Sequence, residues 1–291
     1  MSSSAPAIPA LAAKVPAAGE APRRALAAIV RGVRAGARAA GLGWLLPAAA
    51  LIVWEIASRL GWIAPHLLPP PSALAHTFRD LAMSGELLRH IAVSGARVGS
   101  GFAVGVALAL ALGAWVARSP LVARLLDPSL QGLRAVPSLA WVPLLLLWLG
   151  IDTAPKITLI AIGTFFPTYL ATVGGLTNVD RKLLEVGRQL GLGPIALVTR
   201  IALPAALPAI FTGVRTSAGL GWMFLVAAEL IAATSGLGYL LTDGRETGRA
   251  DLVLVAILTL AVLGKLTDSV LAAIETRWLG WRDIEAERVA P

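Results

Sequence analysis

Residues 98–117 and 157–177 are two runs of about twenty residues without a single charged side chain. A helix needs roughly 20 apolar residues to cross the hydrocarbon core of a bilayer. In lipid the backbone must satisfy its own hydrogen bonds, so runs of this kind fold as helices. Four more segments fit the same description less cleanly. Residues 44–60 hold Glu55 within their apolar run. Residues 136–151 are short and contain Pro137 and Pro143. Residues 214–234 contain Glu229, and residues 252–273 contain Lys265 and Asp268. The reading is an all-α membrane protein of about six transmembrane helices. Composition agrees, with 57% hydrophobic and only 14% charged residues, too few charges to clothe a soluble domain of 291 residues. With no cysteine, a disulfide framework, a thiolate metal site and cysteine catalysis are excluded.

The net charge of +8 points to the cytoplasmic side of a membrane before it points to nucleic acid. An even number of spans puts both termini on one side. With the N-terminus inside, seventeen Lys and Arg residues fall in cytoplasmic segments. Seven fall outside: Arg59, Arg79, Arg89, Arg97, Lys156, Arg245 and Arg249. The bias places both termini in the cytoplasm.

Residues 1–23 are rich in Ala, Pro and Ser and read as a disordered tail. Residues 24–43 place Arg24, Arg31, Arg34 and Arg38 on one face of an interfacial helix. A membrane domain occupies 44–282, and 283–291 is a C-terminal tail. Between the first two spans, Pro69–Pro71 sets an extended corner. Ser72 is expected to cap a helix bearing Leu74, Phe78 and Leu81, which Ser84–Gly85 ends. In the second span Gly101, Gly105, Ala109 and Gly113 recur every four residues, a small-residue stripe against which a neighbouring helix can close.

The segment 178–204 differs from the rest. LEVGRQLGLGPIALVTRIALP (184–204) is polar and broken by glycines. Asn178 or Asp180 can cap a short amphipathic helix. Gly191 and Gly193 end it through positive φ angles, and Pro194 opens a second helix. That second helix carries Arg200, and the chain is expected to bend at Leu203–Pro204 and Pro208 toward the fifth span. This is the layout of a ridge offered to a cytosolic partner, with Glu185 and Arg188 as polar handles.

The spacing Glu185-Val186-Gly187, three residues, Gly191, nine residues, Ile201-x-Leu203-Pro204 resembles the EAA loop of ABC-importer permeases, E-A-A-x3-G-x9-I-x-L-P. Val186 and Gly187 stand where the family usually has alanines. The resemblance covers about residues 44–282. It is nearest to the nitrate/sulfonate/taurine branch, through LLPPPSAL (67–74), SGELLRHIAVSGARVGSGFAVG (84–105), LLDPSLQGLRAVPSLAWVPLLLLWLGI (125–151) and GWMFLVAAEL (221–230). It implies a type I importer permease fold of the MetI-like kind in a bacterial inner (plasma) membrane. It implies a homodimer with two ATPase subunits below it and a periplasmic or lipid-anchored substrate-binding protein above. The cargo it implies is a small oxyanion, aliphatic sulfonates first, with taurine, nitrate, bicarbonate or a thiamine-precursor pyrimidine as alternatives. Glu185, Val186, Gly187, Arg188, Gly191 and Pro204 become the ATPase-coupling positions.

The chain itself is not expected to be an enzyme or to hold a cofactor, ATP being bound by the partner subunit. A phosphate-cradling loop needs G-x-x-x-x-G-K-[ST], and Gly264-Lys265 is followed by Leu266 inside a span. Gly191-Leu-Gly193-Pro-Ile-Ala196 fits a dinucleotide pattern by letter but follows no strand. His66, His76 and His90 all fall in the outer connection without metal-ligand spacing, so no metal is expected. A charge inside a bilayer needs a partner or a wet cavity. Glu55, Glu229 and Lys265 are therefore candidate gating residues, or else fixed clamps such as Glu229 with Lys265 or with backbone. An ion-coupled secondary transporter is the competing class, but matching inverted halves are not evident.

Overall fold

The computed structural model describes residues 45–280. The expected tail, basic interfacial helix and C-terminal tail lie outside the described residues. Helix α1 (45–59) belongs to a separate compact unit and carries an i,i+4 ion pair, Arg59 Nε to Glu55 Oε1 at 2.6 Å.

The second unit is built on α2 (Pro71–Met83), α3 (Glu86–Arg118), α4 (Pro120–Ala135), α5 (Val142–Leu149), α6 (Thr153–Thr177), α7 (Arg181–Gln189), α8 (Pro194–Leu197), α9 (Leu203–Ala232), α10 (Leu237–Glu246) and α11 (Ala250–Trp278). Among the described residues, four helices are long and apolar enough to cross a membrane: α3, α6, the continuous helix from α8 through α9, and α11. The expected span 136–151 is not one straight helix. A 3-10 turn (Ser138–Trp141) leads into α5, and the pair bends 88° from α4. Pro137 caps the turn and Pro143 sits in the first turn of α5, so the chain has no N–H with which to continue α4. At eight residues α5 is about 12 Å long and cannot cross alone.

Residues 69–85 also differ from the expectation. Pro70 is the N-cap of α2 with Pro71 at the first position, so Ser72 lies inside the helix and is not its cap. Leu74 and Leu81 are buried, whereas Phe78 of the same stripe is half exposed. Gly85, at φ +77, separates α2 from α3, as the Ser84–Gly85 reading requires.

The centre is a three-helix seam of α3, α6 and α9. Between transmembrane helices water supplies little drive, so close packing and hydrogen bonds decide. The glycine stripe of α3 provides both. A Cβ on Gly101 would stand 2.7 Å from Ile160, and one on Gly113 would stand 2.9 Å from Thr172. One on Gly105 would fall onto Thr164 Oγ1 and the backbone of Ala161. The three contacts advance in equal steps along both helices, so α3 and α6 run parallel. Helix α9 is antiparallel to α6: Ser217 Oγ meets Thr168 Oγ1 at 2.7 Å and donates to the Thr164 carbonyl at 2.8 Å, while Gly163 holds the ring of Phe224. Val98, Leu159, Ile160, Leu225 and Ala228 fill the apolar core around this seam. Tyr169 of α6 reaches α4 by donating to Asp127 Oδ1 at 2.8 Å.

Candidate functional site: an exposed ridge and a buried charge layer

The ridge is set by local chemistry. Asp180 is the N-cap of α7, and its Oδ1 accepts from Lys182 N at 2.9 Å. At the other end Gly191 N donates to Arg188 O at 3.0 Å, and Leu192 N donates to Gly187 O at 3.1 Å. These two bonds with a left-handed residue between them are a Schellman motif. Gly191 supplies the left-handed residue at φ +74. Gly193 does not share that role. Its φ is −67, and it serves as the extended N-cap of α8, with Pro194 at the first position.

Gly187 is the one buried residue of α7. A Cβ there would strike Ile201 Cδ1 and would stand 2.7 Å from Leu197 Cδ1. The small residue and the isoleucine fourteen positions later are thus two sides of one contact, which folds α7 back on the helix that follows. What faces out is Glu185, Arg188 and an apolar strip of Leu183, Val186, Leu190 and Ile195, the last two each 74% exposed.

The helix is not interrupted at Leu203–Pro204 or Pro208, where the chain is expected to bend. The chain instead passes from α8 through a π-helical turn (Val198–Ala202) into α9 without a break. Pro204 explains the wide turn. Its ring presses on the carbonyl four residues back, that of Arg200, and it offers no N–H in return. Opening the turn by one residue relieves both. Pro208 lies within α9.

Helix α9 ends at a buried charge layer. Glu229, 1% exposed, accepts from Arg97 Nη1 at 2.6 Å, from Ser94 Oγ at 2.9 and 3.0 Å, and from Gly238 N at 2.8 Å. Arg97 Nη1 also donates to Ser235 O at 2.6 Å. His90 Nδ1 accepts from Gly236 N at 2.9 Å, which fixes the ring's proton on Nε2, and Ser94 Oγ accepts from Leu237 N at 2.8 Å. Position 236 calls for glycine twice over: its φ is +121, and a Cβ there would lie on the carboxylate. Two turns of α3 therefore grip the corner between α9 and α10, through its backbone and through one carboxylate.

Of the charged candidates, Glu229 is paired with Arg97 and not with Lys265. Lys265 is 77% exposed in its side chain and sits 3.5 Å from Asp268. Asp268 in turn joins Glu275 in holding Arg215, at 2.9 Å each, so Arg215 ties α9 to α11 from inside α9. Glu55 holds Arg59 within α1. His90 lies in α3 and is fully buried. Arg97, Ser94 and Lys156 did not stand out in the sequence as site residues. The signal was there, since Arg97 lies four residues before Gly101 on the same stripe.

The family model for the inner membrane component of binding-protein-dependent transport systems matches residues 105–280. The chain belongs to that family. The permease is 46% identical over 238 residues to the putative aliphatic sulfonates transport permease protein SsuC of Escherichia coli K12, covering 82% of this chain and 90% of that protein. To the protein of the same description in Bacillus subtilis 168 it is 43% identical, over 83% and 87% of the two chains. Among solved structures, a chain of the MetNI methionine ABC transporter in an inward-facing conformation shares the fold. The TM-score is 0.59 at 19% identity, over 68% of the permease and 98% of that chain. Family and apolar helices together make this a multi-pass inner-membrane protein.

Proposed function

We propose that the chain is the transmembrane subunit of an ATP-driven importer that works as a homodimer, and that α7 seats in a cytosolic ATPase. The observation that carries this reading is the continuity from the ridge to the buried layer. Gly187 locks α7 onto Leu197 and Ile201, and from Pro194 to Ala232 the chain is helical throughout. At 1.5 Å per residue that rod is roughly 58 Å long, enough to carry a displacement across the bilayer. A push on the exposed strip of Leu183, Val186, Leu190 and Ile195 therefore reaches Glu229.

In this reading Glu185 and Arg188 are the polar contacts to the ATPase, and Val186 is an apolar one. Gly187, Gly191 and Pro204 keep the ridge in shape. ATP is bound by two partner subunits, and this chain supplies the path. A substrate-binding protein, periplasmic or lipid-anchored, delivers cargo on the opposite side, and both termini face the cytoplasm. The cargo is a small oxyanion, with aliphatic sulfonates ranked first by the descriptions of the two bacterial relatives. Taurine, nitrate, bicarbonate and a thiamine-precursor pyrimidine are the alternatives. The competing class, an ion-coupled transporter, predicts uptake that follows an ion gradient.

The test is coupling in proteoliposomes holding the chain, its ATPase and its binding protein. Glu185→Lys or Gly191→Pro is expected to leave membrane insertion intact and to abolish stimulation of ATP hydrolysis by loaded binding protein. Stimulation equal to that of the unsubstituted protein would overturn the assignment of the ridge.

A further inference from the structure

The register of the three-helix seam puts two buried cations at the level of one buried carboxylate. On α3 and α6, Gly101 lies on Ile160, Gly105 on Thr164 and Gly113 on Thr172. One turn further toward the N-termini of these parallel helices, the same register pairs Arg97 with Lys156. On antiparallel α9 that level is Ala228–Glu229, and Lys156, Leu159, Ala228 and Ile231 do line one narrow crevice. Lys156 is 4% exposed. Its Nζ donates to the carbonyls of Ile151 at 3.0 Å and Asp152 at 2.9 Å, while Arg97 holds the carboxylate. Lys156 also lies within electrostatic reach of the carboxylates of Asp152 and Glu229, which attract it, and of Arg97, which repels it.

A buried ammonium whose hydrogen bonds all go to backbone carbonyls gains by meeting a carboxylate directly. On the other side of the layer, the hydrogen bonding is incomplete. Arg97 Nε and His90 Nε2 are buried without hydrogen-bond partners, the nearest carboxylate oxygen to Nε2 being Glu86 Oε1 at 3.6 Å. A network with a spare cation and unsatisfied donors has a second arrangement close at hand, and such bistable packing is what a conformational change needs. We propose that Lys156 is the alternate partner of Glu229, and that movement of α9 during transport hands the carboxylate from Arg97 on α3 to Lys156 on α6. Lys156 is then a positioning residue for one end state of the cycle. The inference rests on the permease reading for its role, but the exchange itself is a property of this chain.

Because the chain has no cysteine, Leu88→Cys and Arg245→Cys can be spin-labelled cleanly. Both sites are exposed. The full chain in lipid nanodiscs, without ATPase or cargo, is measured by pulsed dipolar spectroscopy. Arg97→Gln is expected to populate a second distance, and adding Lys156→Gln is expected to deplete it at least about tenfold. Should Arg97→Gln fail to insert, Ser94→Ala, which removes one donor to Glu229, takes its place. A distribution that Lys156→Gln leaves unchanged in that background overturns the exchange. Failure of ATP-driven uptake in the reconstituted complex would instead sink the permease mechanism and leave the exchange standing, so the two are distinguishable.

Discussion

At the scale of single residues, the seam turns two glycines of one helix into opposite cases. Gly105 faces backbone and a hydroxyl, whereas Gly99 has nothing within 4 Å of where a Cβ would stand. Gly105→Ala is expected to destabilise by about 1–3 kcal/mol through overpacking. Gly99→Ala should stabilise slightly, because alanine is the better helix former by about 0.5–1 kcal/mol. Thermal unfolding in detergent reads both, and equal shifts would contradict the parallel packing of α3 on α6. Glu229 is the costlier position. Glu229→Ala leaves Arg97 charged and buried without its carboxylate, a loss of about 3–5 kcal/mol. Replacing both, as Arg97→Met with Glu229→Leu, is expected to cost clearly less than Glu229→Ala alone. A double variant less stable than Glu229→Ala would show that the pair is held for more than charge balance.

At the scale of elements, the unit that matters is α7, the Gly191 turn, α8, the π-helical turn and α9. Pro204→Ala restores an N–H and removes the ring from the Arg200 carbonyl. The wide turn is then expected to tighten toward α-helix, with slower amide hydrogen exchange over Val198–Ala202. Unchanged exchange would mean that Pro204 is not what opens the turn. Much of this unit was legible in the sequence: the Asp180 cap, Gly191 and Pro194 each perform the role their chemistry dictates. The π turn was not legible, because Leu203–Pro204 reads as a break when only the missing N–H is considered. The absorbing turn depends on a helix continuing on both sides. Likewise Gly193 next to Gly191 invites the same left-handed reading, but the motif uses only one such residue. The charged candidates divide by the same logic. Glu229 announced itself as a charge in a span, while Arg97 and Lys156 were hidden by lying at span ends, where basic residues are ordinary. Only the α3–α6 register puts them at one level with Glu229.

At the scale of the whole molecule, the apolar runs at 98–117, 157–177 and 252–273 lie within membrane-length helices, and the run at 214–234 does so up to Ala232, because twenty apolar residues leave the backbone little other choice. The segment 136–151 broke at its prolines. Which side each end faces is a separate claim, and it belongs to the reading in which the ridge meets the cytosol. A cysteine placed at exposed Leu190 in the otherwise cysteine-free chain should react with a membrane-impermeant maleimide in inverted vesicles and stay unreactive in right-side-out spheroplasts. The opposite pattern would put the ridge outside and remove its ATPase. The most direct measurement is uptake of a labelled aliphatic sulfonate by proteoliposomes containing the chain, its ATPase and its binding protein. Uptake is expected to require ATP, to ignore imposed ion gradients, and to fall to the background rate with Glu185→Lys. Uptake that proceeds without ATP, or that Glu185→Lys leaves untouched, would contradict the account.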